Sequence, residues 1–102
     1  MIHVIARISA KQGHAPELLT AFKELLPAVH AEKGCISYVP TIDLATDIDR
    51  QEPVNSDTIT IIEKWDSLDY LRAHLVAPHM HNFREHVGAI VAETDLLILE
   101  ER

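Results

Sequence analysis

An acidic and an aromatic residue stand two positions apart in the apolar segment from Thr58 to Trp65. Side chains alternate between the faces of a strand, so Glu63 and Trp65 face the same side. A carboxylate among apolar neighbours has a raised pKa unless a donor pairs with it. Glu63 is therefore either a general base or acceptor for a bound hydroxyl group, or a structural carboxylate held by a donor. We expect Ile61, on the same face, to contact a ligand as well.

Four histidines, His74, His79, His81 and His86, fall within thirteen residues. Their spacing does not reproduce a zinc motif such as His-Glu-x-x-His, and no second cysteine helps, so we predict no metal site. His74 can point toward the sheet face that carries Trp65. His79 begins a helix, where an imidazole tends to stay neutral and can accept a proton. Each of these two histidines is either a catalyst or a structural hydrogen-bond donor.

Tyr38 and Cys35 lie together in a second β-type segment. Tyr38 either supplies a phenol to the same cavity or fills it. Cys35 is either a nucleophile or a small core residue. The sequence contains no Gly-rich phosphate loop, no nucleophile elbow and no dinucleotide fingerprint. The sequence thus gives no support for a bound flavin or nicotinamide, and we predict no cofactor.

Hydrophobic periodicity predicts the elements that position these residues. Apolar residues alternate from Ile2 to Ile8, then recur at helical spacing from Leu18 to Val29, with a kink expected at Pro27. The remaining predicted elements are a strand over 35–43, a polar excursion over 44–57, a strand over 58–65, a short helix ending near Pro78, a second helix with Ile90 and Val91 on its apolar face, and a strand over 95–99. The order is β-α-β-β-α(α)-β.

That order predicts an α+β fold of the ferredoxin-like type, formed as one domain over residues 1–102. Its four-stranded antiparallel sheet carries the helices on one face. Several strands are apolar on both faces, as at Ile5 and Ile62, and the last strand is apolar at four consecutive positions. The uncovered face is therefore predicted to pack against a second copy, which makes a homodimer. The alternative is a mildly apolar face in contact with solvent.

Composition excludes several classes of partner. A formal net charge of -7 argues against a nucleic-acid surface, which needs clustered Lys and Arg. No segment approaches the roughly 18 apolar residues of a membrane span, and the N-terminus lacks the layout of a signal peptide. The single cysteine fits a reducing compartment, so we expect a cytoplasmic protein.

Five segments carry a family resemblance: Ile2-His-Val-Ile-Ala6, Leu26-Pro-Ala-Val with Glu32-Lys-Gly-Cys35, Tyr38-Val-Pro40, Ile62-Glu-Lys-Trp65-Asp-Ser, and Ala73-His-Leu-Val-Ala-Pro-His-Met80. Through them the chain resembles the antibiotic biosynthesis monooxygenase superfamily over essentially its whole length. Within that superfamily it is most similar to the small bacterial quinol monooxygenases.

The resemblance implies dimeric ferredoxin-like subunits that oxidise or oxygenate quinol-like aromatics with O2, without flavin, haem or metal. It implies Trp65 and Tyr38 as walls of an apolar cavity and His79 at its rim. His74 or Glu63 is then the acceptor of the phenolic proton, and the resulting anion passes an electron to oxygen directly.

Other branches of the superfamily fit less well. Haem-degrading relatives have an Asn, a Trp and an axial His where this chain has Ala6, His74 and Arg84. The actinorhodin-type oxygenases have an Asn and a Tyr where this chain has Ile61 and Leu71. Haem and large polyketide anthrones are therefore not expected substrates. Two other functions stay open: an isomerase or processing enzyme for a small carbonyl metabolite, and a non-catalytic dimeric protein that binds aromatic ligands or acts in stress.

Overall fold

The computed structural model describes residues 1–102 and contains four strands and three helices in the predicted order. The strands are β1 (Ile2–Ala10), β2 (Cys35–Ile42), β3 (Thr58–Trp65) and β4 (Val91–Glu100). The helices are α1 (Ala15–His30), α2 (Leu68–Leu75) and α3 (Pro78–Val87). The longest helix has 16 residues, and none combines the length and apolarity needed to cross a membrane.

All four strands pair antiparallel in the order β2-β3-β1-β4. The helices lie over one face, where Val4 and Ala6 of β1 and Ile61 and Trp65 of β3 are buried. This arrangement is the ferredoxin-like α+β fold, so the predicted fold class is confirmed. Helix α1 packs against β1, β2 and β3 and leaves β4 uncovered.

The opposite face of the sheet is apolar and uncovered. Val39, Ile62, Ile5 and Leu97 pair in register and so form one row across all four strands. Within this row Val39 is 48% exposed, Ile62 42% and Leu97 57%. The sheet is therefore apolar on both faces, as expected, and the helices cover one of them.

Two predicted boundaries are wrong at the C-terminal end. Ile90 and Val91 do not belong to the last helix, because α3 ends at Val87 and Val91 already pairs with Ala10 at the start of β4. The spacing of these residues from Val87 imitates a helical stripe, but the chain turns after Gly88, where the Ile90 N–H donates to the Val87 carbonyl at 2.9 Å. Strand β4 is consequently longer than the predicted 95–99.

The predicted polar excursion contains neither helix nor strand from residue 43 to residue 57. Side chains hold it in place: Asp43 Oδ2 accepts from the Asn55 N–H at 2.9 Å, and Asp57 Oδ1 accepts from the Gly13 N–H at 3.2 Å. The segment lies beside Arg7 and Thr60, which belong to the helix-free face. It therefore does not close over the helix side of the sheet.

A tight turn joins α1 to β2 and determines where the end of α1 meets α2. Gly34 has φ +83°, and a Cβ at this position would overlap the Tyr70 ring. The Gly34 carbonyl accepts from the Asp66 N–H at 2.9 Å. Only glycine suits both the left-handed backbone and the close approach. This turn brings Glu32 next to the α2–α3 junction.

Candidate functional site

An apolar cavity of about 430 Å³ lies between the helix side of the sheet and the helices. Ten of its fifteen lining residues are hydrophobic. The lining residues are Ala6, Ile8, Phe22, Tyr38, Glu63, His74, Leu75, Met80, Phe83, Arg84, Val87, Gly88, Val91, Thr94 and Leu96. Two depressions of similar size elsewhere, about 480 and 490 Å³, have mainly polar linings. An apolar wall with a few polar groups is the usual character of a small-molecule site.

Glu63 is the one residue of β3 that lines the cavity. It is buried, and its Oε1 accepts a hydrogen bond from the Trp65 indole N–H at 2.9 Å. Burial raises the pKa of Glu63 to about 7, with the nearby Glu32 adding to the rise and the Trp65 hydrogen bond opposing it. Glu63 therefore retains its proton over a much wider pH range than an exposed carboxylate.

His74 lies in the last turn of α2 and is buried among aromatic groups. Its ring centroid is 4.6 Å from that of Trp65 and 5.5 Å from that of Tyr38. Its Nδ1 lies 2.7 Å from Glu32 Oε2. Because an ionised carboxylate can only accept, Nδ1 carries the proton and Nε2 keeps its lone pair. Burial lowers the pKa of His74, while the bond to Glu32 partly opposes this change.

Glu32 is the residue that the sequence did not predict. It lies between α1 and the Gly34 turn, and the same oxygen, Oε2, that binds His74 also lies 2.8 Å from His79 Nε2. One carboxylate therefore fixes the orientation of two imidazoles from two helices. Its local signal is weak, namely an acidic residue just before a turn glycine, and no local pattern links it to histidines 42 and 47 residues away.

Tyr38, from β2, lines the cavity and packs edge-on against the His74 ring. Burial raises the pKa of its phenol well above the ordinary value, and Glu63 and Glu32 raise it further. Tyr38 therefore stays neutral at and around pH 7. In that form its hydroxyl can act as a hydrogen-bond donor to a ligand.

Three residues predicted to contact substrate do not line the cavity: Trp65, Ile61 and His79. Alternation placed Trp65 and Ile61 on the correct face, but both are fully buried in the core, where α1 packs over β3. His79 turns toward Glu32 instead of the cavity. Trp65 still influences the site, because it holds Glu63 by a hydrogen bond and supports the His74 ring.

The cluster of Glu32, His74 and His79 could also hold a metal ion. Their ligand atoms all lie within 4.8 Å of one another, and two imidazoles with one carboxylate are a familiar ligand set for zinc and iron. The spacing argument from sequence missed this group because one ligand comes from a different part of the chain. As the side chains lie, hydrogen bonds from both rings to Glu32 Oε2 satisfy the cluster without an ion.

Comparison with known proteins places the chain in a family. The family model described as antibiotic biosynthesis monooxygenase matches residues 1–86. An Escherichia coli K12 protein named "probable quinol monooxygenase YgiN" is 37% identical over 102 residues, covering 98% of this chain and 97% of the relative. Among solved structures, PA3566 from Pseudomonas aeruginosa has a TM-score of 0.80 at 26% identity, over 99% of this chain and 93% of that chain. A conserved protein from Methanosarcina mazei Go1 has a TM-score of 0.82 at 22% identity, over 99% and 92% of the two chains, and shares the fold. The chain belongs to the antibiotic biosynthesis monooxygenase family.

Proposed function

We propose that this protein is a quinol monooxygenase that binds a reduced aromatic in the helix-side cavity and oxidises it with O2, without flavin, haem or metal. The observation that carries the proposal is the neutral His74 imidazole on the wall of an apolar cavity, backed by the Glu32 carboxylate. The name of the Escherichia coli relative supports the class of substrate.

The first step is transfer of a proton from a phenolic hydroxyl of the substrate to His74 Nε2. The imidazolium that forms is stabilised by Glu32 through Nδ1, as in other carboxylate–histidine pairs. The substrate becomes an electron-rich anion in a site that excludes water, where it transfers an electron to O2. The substrate itself is the reductant, so the protein supplies only the base, the orientation and the dry cavity.

The overall reaction balances in two ways that differ in product. As a monooxygenase, the protein converts a hydroquinone and O2 into a hydroxyquinone and water. As an oxidase, it converts the same reactants into the quinone and hydrogen peroxide. In both cases the substrate loses electrons to oxygen and O2 is consumed in equal amount to the quinol.

Oxygen uptake tests the proposal directly. We expect the purified protein to consume O2 with menadiol well above the rate of autoxidation, and to produce no quinone under anaerobic conditions. Peroxide detection, together with the mass of the product formed under ¹⁸O2, separates oxygenation from oxidation. Saturable binding of menadiol with O2 uptake no faster than in protein-free buffer would contradict the proposal and favour a non-catalytic binding protein.

The homodimer is part of the same proposal. What supports it is the apolar row of Val39, Ile62, Ile5 and Leu97 on the helix-free face, of which Val39, Ile62 and Leu97 are exposed to solvent in a single copy. A second copy related by a two-fold axis would cover this row with the same row.

Leu97→Glu should convert the dimer into a monomer, because it places a charge on this row at its β4 end. Light scattering coupled to size-exclusion chromatography measures the mass in solution. Val76→Glu is the matched control, since Val76 is a highly exposed apolar residue on the helical side. A wild-type monomer, or a Leu97→Glu protein that stays dimeric, would show that the faces do not pack in this way.

A further inference from the structure

Arg84 is the one arginine or lysine that lines the cavity. It is an exposed residue of α3 that belongs to the cavity lining, and its Nη2 donates to the Leu75 carbonyl at 2.8 Å. It takes part in none of the ion pairs of the chain. Arg72 lies 3.1 Å from Asp69 and Arg102 lies 3.0 Å from Glu100, whereas Arg7 and Arg50 form no ion pair but do not line this cavity.

The bond to Leu75 fixes the position of the guanidinium and leaves most of its donors free. A guanidinium has five N–H donors in a rigid planar arrangement, and Leu75 uses only one of its nitrogens. The remaining donors match the geometry of a carboxylate, which binds arginine through two parallel hydrogen bonds. An arginine held at the wall of an apolar cavity without a carboxylate of its own is therefore ready to bind one from a ligand.

Of the other polar groups of the cavity, Tyr38, His74 and Thr94 are neutral near pH 7, and Glu63, with a pKa of about 7, is partly protonated there. Burial raises the pKa of Tyr38 and of Glu63 and lowers the pKa of His74, so each favours its uncharged form. Thr94, the remaining polar lining residue, has no charge. Arg84 is thus the one arginine or lysine of the cavity lining, in a protein whose formal net charge is -7. A negatively charged ligand gains a specific attraction at Arg84 that it finds nowhere else in the cavity.

We propose that Arg84 selects aromatic substrates that carry a carboxylate on the ring, so that the natural substrate is a hydroxylated aryl carboxylate. The proposal rests on the proposed function for the position of the phenolic hydroxyl at His74. Arg84 then binds the carboxylate, while the apolar residues of α1, α3 and β4 enclose the ring. A cavity of about 430 Å³ lies within the range of small-molecule sites.

Binding of a matched pair of ligands tests this without turnover. The probes are 4-hydroxy-2-naphthoate and its methyl ester, measured anaerobically by isothermal titration calorimetry at pH 7. We expect the wild-type protein to bind the acid roughly 10- to 100-fold more tightly than the ester, as for a charge-assisted hydrogen-bonded pair. Arg84→Gln should remove this preference by weakening binding of the acid, and leave the affinity for the ester within about twofold.

The control is Arg72→Gln, which removes an exposed arginine of α2 that does not line the cavity. It should change neither affinity. Arg84→Lys keeps the charge without the planar donors and should retain only part of the preference. The inference is overturned if the wild-type protein binds both probes equally, or if Arg84→Gln weakens both equally, since Arg84 would then contact the ring or the hydroxyl.

Failure here is distinguishable from failure of the proposed function. Rapid O2 uptake with neutral menadiol, combined with equal affinity for the acid and the ester, would reject the role of Arg84 alone. An Arg84-dependent preference for the acid, combined with no O2 uptake for any quinol, would reject the oxidation and leave the binding site standing. Urea unfolding of Arg84→Gln, which should match the wild type closely, shows that the variant is folded.

Discussion

Replacing His74 with glutamine should lower the rate of menadiol-dependent O2 uptake by about 100- to 10,000-fold, the usual contribution of a positioned general base. The amide cannot accept a proton at neutral pH, so the phenol has no route to its anion inside the cavity. Because glutamine is similar in length and polar, it can still fill the space beside Trp65 and reach Glu32. The loss should therefore appear in kcat, with a much smaller change in KM.

The control for this variant is His81→Gln, at an exposed histidine of α3 that does not line the cavity. It should oxidise menadiol at the wild-type rate. Urea unfolding curves for both variants separate a loss of catalysis from a loss of folding. A folded His74→Gln protein with the wild-type rate would remove His74 from the mechanism. Glu63 would then be the remaining candidate for the acceptor of the phenolic proton.

The parts of the fold that the sequence predicted depend on local periodicity. Alternation over β3 assigned Glu63 and Trp65 to the buried face, and the helical spacing from Leu18 to Val29 located α1. The order of elements then left few topologies to consider. The prediction was wrong at Ile90, because its spacing of three residues from Val87 continues the helical pattern by chance past the end of α3.

The site was harder to predict because a cavity is a property of packing. Alternation shows which face Ile61 occupies, but only the position of α1 determines that it is covered instead of open to a ligand. Likewise, the sequence places His79 in the first turn of α3 without stating which way it turns. That direction depends on the junction after His74, where the Ala77 N–H donates to the His74 carbonyl at 3.1 Å, and on Glu32.

Glu32 and Arg84 could not be predicted as site residues for a similar reason. Each becomes informative only through groups that are distant along the chain. Glu32 meets His74 and His79 across more than forty residues, and Arg84 is notable because it is the one arginine that lines the cavity. Neither condition can be read from a local segment. The placement of His74 beside Trp65 was predictable from the sequence, whereas the Glu32 carboxylate that binds its Nδ1 was not.

Glu63 provides the second large effect, which is a dependence of stability on pH. Its pKa is about 7 in the folded protein, against an ordinary value of 4.5, because the carboxyl is buried. Between these values the folded state holds a proton that the unfolded chain has released, so the free energy of unfolding falls as pH rises through this window. The stabilisation is fully present below pH 4.5 and is lost above about pH 7. Its size is on the order of 3 kcal/mol.

Glu63→Gln should therefore be close to the wild type in stability at pH 5 and more stable by about 3 kcal/mol at pH 8. The amide is a neutral copy of the protonated acid, and its oxygen can still accept the hydrogen bond from the Trp65 indole. Urea unfolding at a fixed protein concentration, at pH 5, 6, 7 and 8, gives the difference directly. Glu24→Gln, at an exposed position on α1, should differ from the wild type by less than about 0.5 kcal/mol at each pH.

The outcome also decides which group accepts the phenolic proton. If the difference between Glu63→Gln and the wild type grows with pH as expected, Glu63 holds its own proton near neutrality and His74 is the available base. Glu63 then serves as a hydrogen-bond donor to the substrate, fixed in place by Trp65. If the two proteins keep a constant difference from pH 5 to pH 8, Glu63 is ionised throughout and competes with His74 for the proton. In that case Glu63→Gln, like His74→Gln, should lower the rate of O2 uptake.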